Sequence, residues 1–418
     1  MYNLHLSYNL HLSAEQLEIR DTVRDFVNGE IKPVVLKAAR LDAADRTLPM
    51  GLLDKASQMG LRTLALSEAL GGAGADHVTA CIVMEELAAG DPDIAAALME
   101  TSRLGHILFD HAMSDAQRDM LLPKFLTDDR FHLAFAQREP DADTKLGVNY
   151  HRPAVVEAPV HTTATKAGNG DWIVNGTKVR VANAPIARLI AVEAAIAGRA
   201  GTTILLVPAD APGVSVRVPE KTWHHGPCGE VTFKDCRVPA DHLLGGNTAA
   251  LLADTHGRGI PLAQALNLGI ARAAYEAAID YGKLRVQGGR PIIEHQAIGT
   301  KLAECAIKLE VARASVWQAA WASDHPEGYA DRSLPDLPLQ TVAQVFTAEM
   351  MLKATKDAVE VFGAMGVMRD MPLQKYVNDA RVCLHSGDGN TDAKLRIAEA
   401  LAGYRRAVNG GAYALAGE

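Results

Sequence analysis

The sequence is short of paired cysteines. Cys81, Cys228, Cys236, Cys305 and Cys383 stand far apart with no CxxC spacing. A disulfide framework or a cysteine metal site needs closer or repeated spacing, so free thiols in a reducing compartment are expected. Long apolar runs are missing as well. No stretch of about eighteen apolar residues occurs, and no basic segment precedes an apolar block at the start. The expectation is therefore a cytoplasmic protein with no membrane partner. Lys and Arg are scattered without a basic run, and the formal net charge is −8. Duplex binding needs clustered positive charge, so no nucleic acid partner is expected.

What is present is the composition of a folded chain. Of 418 residues, 48% are hydrophobic and 22% charged, enough for two or three domains or one large core. The opening "YNLHLSYNLHLS" duplicates six residues and is set aside as a start-site irregularity. From Ser13 the pattern is helical: "SAEQ" has the serine and glutamine of a capping box, and Leu17, Val23, Val27 and Ile31 follow at near-helical intervals. Further helices fit 50–60, 75–90, 93–112 and 114–127. Near Phe131 the texture changes to short β-branched runs such as "DWIVNGTKVRVANA", "TTILLVP" and "GEVTFKDCRVP", split by turn residues. After "GGNT" long alanine-rich helices return, over 249–285, 290–323, 338–365 and 391–407. The reading is an α+β multidomain chain. It has an N-terminal α-helical domain over 1–131, a central antiparallel β-barrel or sandwich domain over 132–247, and a C-terminal long-helix bundle over 248–418.

Several strings then carry a family resemblance. "RVQGGRPIIEHQAIGTKLAECAIKLEVAR", "DAVEVFGAMGVMRDMPLQKYVNDAR", "LAFAQREPDAD" and "WIVNGTKVRVANA", in this order of domains, resemble the acyl-CoA dehydrogenase family from about residue 13 to 405. The resemblance implies FAD held between the β domain and the C-terminal helices, an acyl-CoA substrate, and a homo-oligomer, dimer or tetramer. It also implies an electron-transfer flavoprotein or similar acceptor. In such an enzyme a base removes the α-proton of the thioester while the β-hydride passes to flavin N5.

Carried onto this sequence, the resemblance implies that Arg285 pairs with the cofactor diphosphate, a planar fork for a charged group. His295 and Gln296 line the cofactor site, and Gly363 with Ala364 lets the phosphates approach the backbone. Arg138 and Asp143 fall on the loop that touches flavin and substrate, where the family has small hydroxyl residues. Arg180 and Ala182 stand in place of a flavin-facing tryptophan and threonine. Arg258 matches an arginine near the acyl pocket. Glu360 occupies a position that is commonly glutamine, so it either points away from the phosphates or alters their binding.

The turn "LHSGDGN", 384–390, is where the family carries its catalytic glutamate. One alignment puts Ser386 there, and serine is too weak a base without a partner. Sliding by two puts Asp388 there; Asp388 equally fits a helix cap before Thr391. His385 offers a third route, resembling a histidine of flavin monooxygenases on this fold. Three readings follow: a FAD-dependent dehydrogenase of acyl-CoA thioesters; a monooxygenase or non-oxidative elimination; or the non-catalytic subunit of a heteromeric dehydrogenase. The acyl group itself is not legible.

Overall fold

The computed structural model describes residues 11–42, 46–140, 160–198, 201–218, 224–244, 259–325, 339–385, 389–402, 404–405 and 414–415. The first helix, α1 (Ala14–Phe26), starts where the capping box demands. Ser13 Oγ accepts from the Gln16 amide at 3.1 Å, and Gln16 Oε1 accepts from the Ser13 amide at 3.0 Å. Helices α2 (Met50–Gln58), α3 (His77–Gly90), α4 (Pro92–Gly105) and α5 (Asp115–Thr127) follow, with a second capping box at Ser114 and Gln117. The single helix expected over 93–112 is α4 continued by wider π-type turns over His106–Ala112.

The β block is a sheet of β1 (His132–Ala136), β2 (Thr163–Lys166), β3 (Trp172–Ala182), β4 (Ala187–Ile196), β5 (Thr202–Pro208), β6 (Val214–Arg217), β7 (Cys228–Val238) and β8 (Leu243–Leu244). Its order is β6-β7-β3-β2-β4-β5-β8, with β1 on β4. Most pairings are antiparallel, while β4 runs parallel to β1 and β2. The two-residue period of β4 and β5 decides their surroundings. Leu189, Ala191, Ile204 and Leu206 face the helices through Leu104, Phe109 and Phe125. Ile190, Val192, Leu205 and Val207 face β3 and β7 through Val174, Val231 and Phe233. The middle of the sheet is thus covered on both sides.

The C-terminal helices are α6 (Ile260–Leu284), α7 (Gln296–Asp324), α8 (Leu339–Phe362), α9 (Leu373–Cys383) and α10 (Gly389–Leu401). The helix expected to begin at 290 instead begins at Gln296. Gly288 and Gly289, both at positive φ, turn a short hairpin of Val286–Gln287 against Arg290–Pro291 first. Residues 249–258 of another expected helix lie outside the described residues.

First and last helices share one core. Val27, Leu53, Val83 and Leu87 pack in the same cluster as Ile270, Ala274, Val316 and Phe362. Within it α3 and α6 approach closely: a Cβ on Gly269 would sit 2.2 Å from the Glu85 carbonyl oxygen. Backbone cannot yield there as a side-chain tip can. Gly269→Ala is expected to cost roughly 1–3 kcal/mol by forcing the helices apart, read as a lowered urea midpoint; an unchanged midpoint would show that the contact is slack.

Candidate functional site

One group of expected site residues lies at a single end of the C-terminal bundle. Arg285 follows α6, His295 precedes α7 and Gly363 follows α8, and Tyr281 stacks on Phe362 with ring centroids 4.2 Å apart. Arg285, Gln296, Gly363 and Ala364 are exposed. His295 is the N-cap of α7 with no side-chain cap bond. Its ring is oriented by the Gln287 carbonyl, 2.9 Å from Nε2. A Cβ on Gly289 or Gly363 would meet nothing within 4 Å, and both residues are in the left-handed region, at φ 81° and 56°. An exposed guanidinium, an uncapped helix N-terminus and open backbone are donors that fit a diphosphate. Glu360, the charge expected to repel a phosphate at this end, is ion-paired with Lys301 of α7, which offsets that repulsion.

A second group lies on the β block. The Arg138 carbonyl accepts from the Val179 amide at 2.9 Å, which lays the loop after β1 along β3. A buried ion pair fixes this arrangement: Lys178 Nζ reaches Glu139 Oε1 at 2.7 Å and the Gln137 carbonyl at 2.9 Å. Burial alone would raise the Glu139 pKa, but the bonds from Lys178 and the Thr162 amide outweigh it and hold the carboxyl below its usual range. Arg180 sits in a bulge of β3 with φ 54°, a left-handed conformation costly for a residue with a Cβ. Arg180 and Ala182 are exposed, and Arg138 is half-buried. Asn183, also left-handed at φ 60°, turns back from β3 and donates to the Ala97 carbonyl at 2.8 Å and Thr101 Oγ1 at 3.0 Å. Thr101 in turn meets His132 Nδ1 at 3.1 Å. His132 is fully buried, and desolvation with the nearby Arg62 charge lowers its pKa to about 4. It stays neutral and locks α4 to β1.

The third part is the α9–α10 turn. The Asn390 amide donates to the Leu384 carbonyl at 3.2 Å, closing the turn, and Asn390 Nδ2 reaches the Val345 carbonyl at 3.3 Å. His385 is exposed. Asp388 and Ser386 lie outside the described residues, as do Asp143 and Arg258. Behind the turn, the Asp379 carboxylate of α9 is buried between Arg46 Nη1 at 2.7 Å and Lys375 Nζ at 2.8 Å. These charges hold it ionised: burial pushes its pKa up, and Lys375 and Arg46 more than reverse that. Glu139, Lys178, Asn183, Asp379 and Arg46 were not singled out from sequence. The family strings "LAFAQREPDAD", "WIVNGTKVRVANA" and the one ending "YVNDAR" contain all of them but Arg46, without marking any of these residues.

With this geometry in hand, three family descriptions match along the chain. Acyl-CoA dehydrogenase N-terminal, middle and C-terminal domains match residues 13–129, 154–236 and 249–401. An acyl-CoA dehydrogenase of Bacillus subtilis is 31% identical over 94% of this chain and 100% of its own length. The chain belongs to the acyl-CoA dehydrogenase family. The benzylmalonyl-CoA dehydrogenase of Aromatoleum aromaticum is 31% identical over 93% of this chain and 98% of its own. A glutaryl-coenzyme A dehydrogenase solved with glutaryl-CoA superposes with a TM-score of 0.80 at 25% identity, covering 97% of this chain and 99% of that one. Membership makes the chain a flavoprotein oxidoreductase with FAD as its cofactor. The family fold places the expected β block between helical segments, as the described elements do.

Lys178→Met should expose the value of the buried pair. It leaves the buried Glu139 without its counter-charge, at a cost of about 3–5 kcal/mol in urea unfolding, and Lys178→Met with Glu139→Gln should recover a good part. If the single and double variants unfold alike, the pair does not hold this loop.

Proposed function

We propose that the chain oxidises an acyl-CoA thioester by removing the α-proton as the β-hydride leaves. The observation that carries this reading is the bundle end, where Arg285, the α7 N-terminus and Gly363 offer diphosphate donors beside open backbone. There Arg285, His295 and Gln296 bind the cofactor, with Gly363 and Ala364 leaving room. Bound FAD supplies the hydride acceptor. Arg138 and Ala182 wall the flavin side of the β block, and Arg180 brings a positive charge where a flat ring would serve in the family pattern. Arg258 and Asp143 are assigned to the substrate, and Asp388 to the proton. A carboxylate suits that step, because it removes a proton from a carbon acidified by hydrogen bonds to the thioester carbonyl. His385, at the end of α9 and three residues before Asp388, takes the role of orienting the thioester. An electron-transferring flavoprotein is the proposed acceptor from the reduced enzyme.

The assembly is proposed to be a homo-oligomer. Leu284, Val286, Val367 and Met368 are 81%, 59%, 65% and 48% exposed beside the bundle end, an apolar cost that a second copy would remove. Light scattering is expected to report a dimer or tetramer, and Val367→Glu to shift it toward monomer; a monomeric wild type overturns the assignment. For the chemistry, Asp388→Asn should abolish anaerobic bleaching of the flavin by acyl-CoA while FAD stays bound. Unchanged bleaching removes Asp388 from the mechanism, and a purified chain that takes up no FAD removes the oxidation altogether.

A further inference from the structure

The wider π-type turns that continue α4 over His106–Ala112 gather two imidazoles on one face. Residues five apart stand about 140° apart around an ordinary α-helix of 3.6 residues per turn. A π turn, with hydrogen bonds spanning five residues, brings them into line. His106 and His111 are five apart. Their Nε2 atoms are 3.2 Å from each other, with ring centroids 4.7 Å apart and planes crossed at 88°. The inward face of the same turn is locked, because Phe109 is fully buried and stacks on Phe125 with centroids 4.8 Å apart. The pair thus stands on a rigid support. His111 is exposed, and the His106 side chain is 38% exposed.

Asp110 orients the first ring, with Oδ2 2.8 Å from His106 Nδ1. The carboxylate is itself held from the loop after α2. Ser67 donates to it through its amide at 3.1 Å and its hydroxyl at 2.5 Å. An ionised carboxylate only accepts, so in the neutral ring His106 Nδ1 carries the proton and Nε2 presents its lone pair to His111. Metal-bound histidines are braced in this way, with the far N–H on a carboxylate. The gap fits as well. Two nitrogens about 2.0–2.1 Å from one ion lie about 3.3 Å apart at a tetrahedral angle and about 2.9 Å at a right angle. Without an ion one proton lies between the rings, and an ion takes its place. Among the described residues no group of three or more His, Cys, Asp or Glu side chains is arranged to hold a metal. The pair is therefore a two-ligand site completed by water, and its ion is exchangeable.

We propose that His106 and His111 together bind one divalent transition-metal ion of the kind imidazole favours, zinc, nickel or copper, with Asp110 as the positioning residue. The bound ion ties the π turn, through Asp110, to the loop at Ser67. None of these residues belongs to the site assigned to flavin and substrate, so the inference stands independently of the acyl-CoA reading.

The test titrates the untagged full chain, freed of metal with a chelator, with ZnCl2 and NiCl2 by calorimetry. The wild type should bind one ion more per chain than the His106→Gln, His111→Gln double variant. Each single variant should lose at least about tenfold in affinity for that ion. MgCl2 should not compete, since magnesium takes oxygen ligands. Asp110→Asn should weaken binding about 10–100-fold. It should also shrink the rise in melting temperature that zinc induces, which a purely structural aspartate would leave intact. Crystals soaked in ZnCl2 should show an anomalous peak about 2.0–2.1 Å from both Nε2 atoms. Equal stoichiometry in wild type and double variant overturns the inference, as does a peak on one ring alone. A peak in soaked crystals with no matching site in solution is binding at crystal concentration only, and overturns it too. Undiminished affinity in Asp110→Asn removes Asp110 from the site.

Discussion

Two neighbouring carboxylates on the central helix organise the rest of the molecule. Glu85 and Glu86 of α3 are 7% and 5% exposed as side chains. Arg24 of α1, Arg272 of α6 and Arg313 of α7 converge on them. Arg24 reaches Glu86 at 2.6 Å, Arg272 bridges both at 3.1 and 2.7 Å, and Arg313 reaches Glu85 at 2.8 Å. Taking two carboxylates out of water costs about as much as their pairing returns. Net stability is therefore the smaller part of their effect. Apolar helix faces tolerate sliding as long as volume is conserved, but a guanidinium fork accepts only one register. These pairs set how the first helices sit on the last ones, and the close approach at Gly269 depends on that register.

The same device recurs at the site, with different partners. Lys178 and Glu139 fix the loop of Arg138 on β3, and Arg46 with Lys375 fixes Asp379 under the turn. Each joins segments that pattern alone would leave independent. The helices on either side of residues 386–388 are each held: Asn390 ties α10 to α8, and α9 is pinned through Asp379.

How legible this was from the sequence follows from the range of each interaction. The α1 start was readable because Ser13 and Gln16 are three residues apart and satisfy each other locally. The β block was readable because its strands alternate and its turns carry Gly, Asn and Asp. The helix limit at Gln296 was missed by six residues, since two glycines at positive φ made a hairpin inside what periodicity read as helix. Nothing local announced Arg46 and Asp379, which meet across 333 residues, or the burial of Lys178. The residues expected at the cofactor came from family strings; that Arg285, His295, Gln296, Gly363 and Ala364 lie at one bundle end, and Arg138 and Ala182 on the β block, is a tertiary fact.

Positive charge on the β block is one feature in which this chain departs from the family pattern. Arg138 and Arg180 stand where small hydroxyl and flat aromatic side chains are usual, and Arg180 holds a left-handed backbone at φ 54°. A strained position persists only where its surroundings over-determine it. Here Lys178 on one side is fixed by Glu139, and Val181 on the other is paired with Gly229, so the bulge between them has no freedom to relax. The guanidinium is consequently displayed outward from a rigid strand. A cation held that way favours negative charge in whatever lies against the sheet, which for a flavin is its reduced form. Under the proposed placement of the flavin against β3, this departure from the family pattern would bear on how easily the cofactor accepts electrons, and would leave its phosphates to the bundle end.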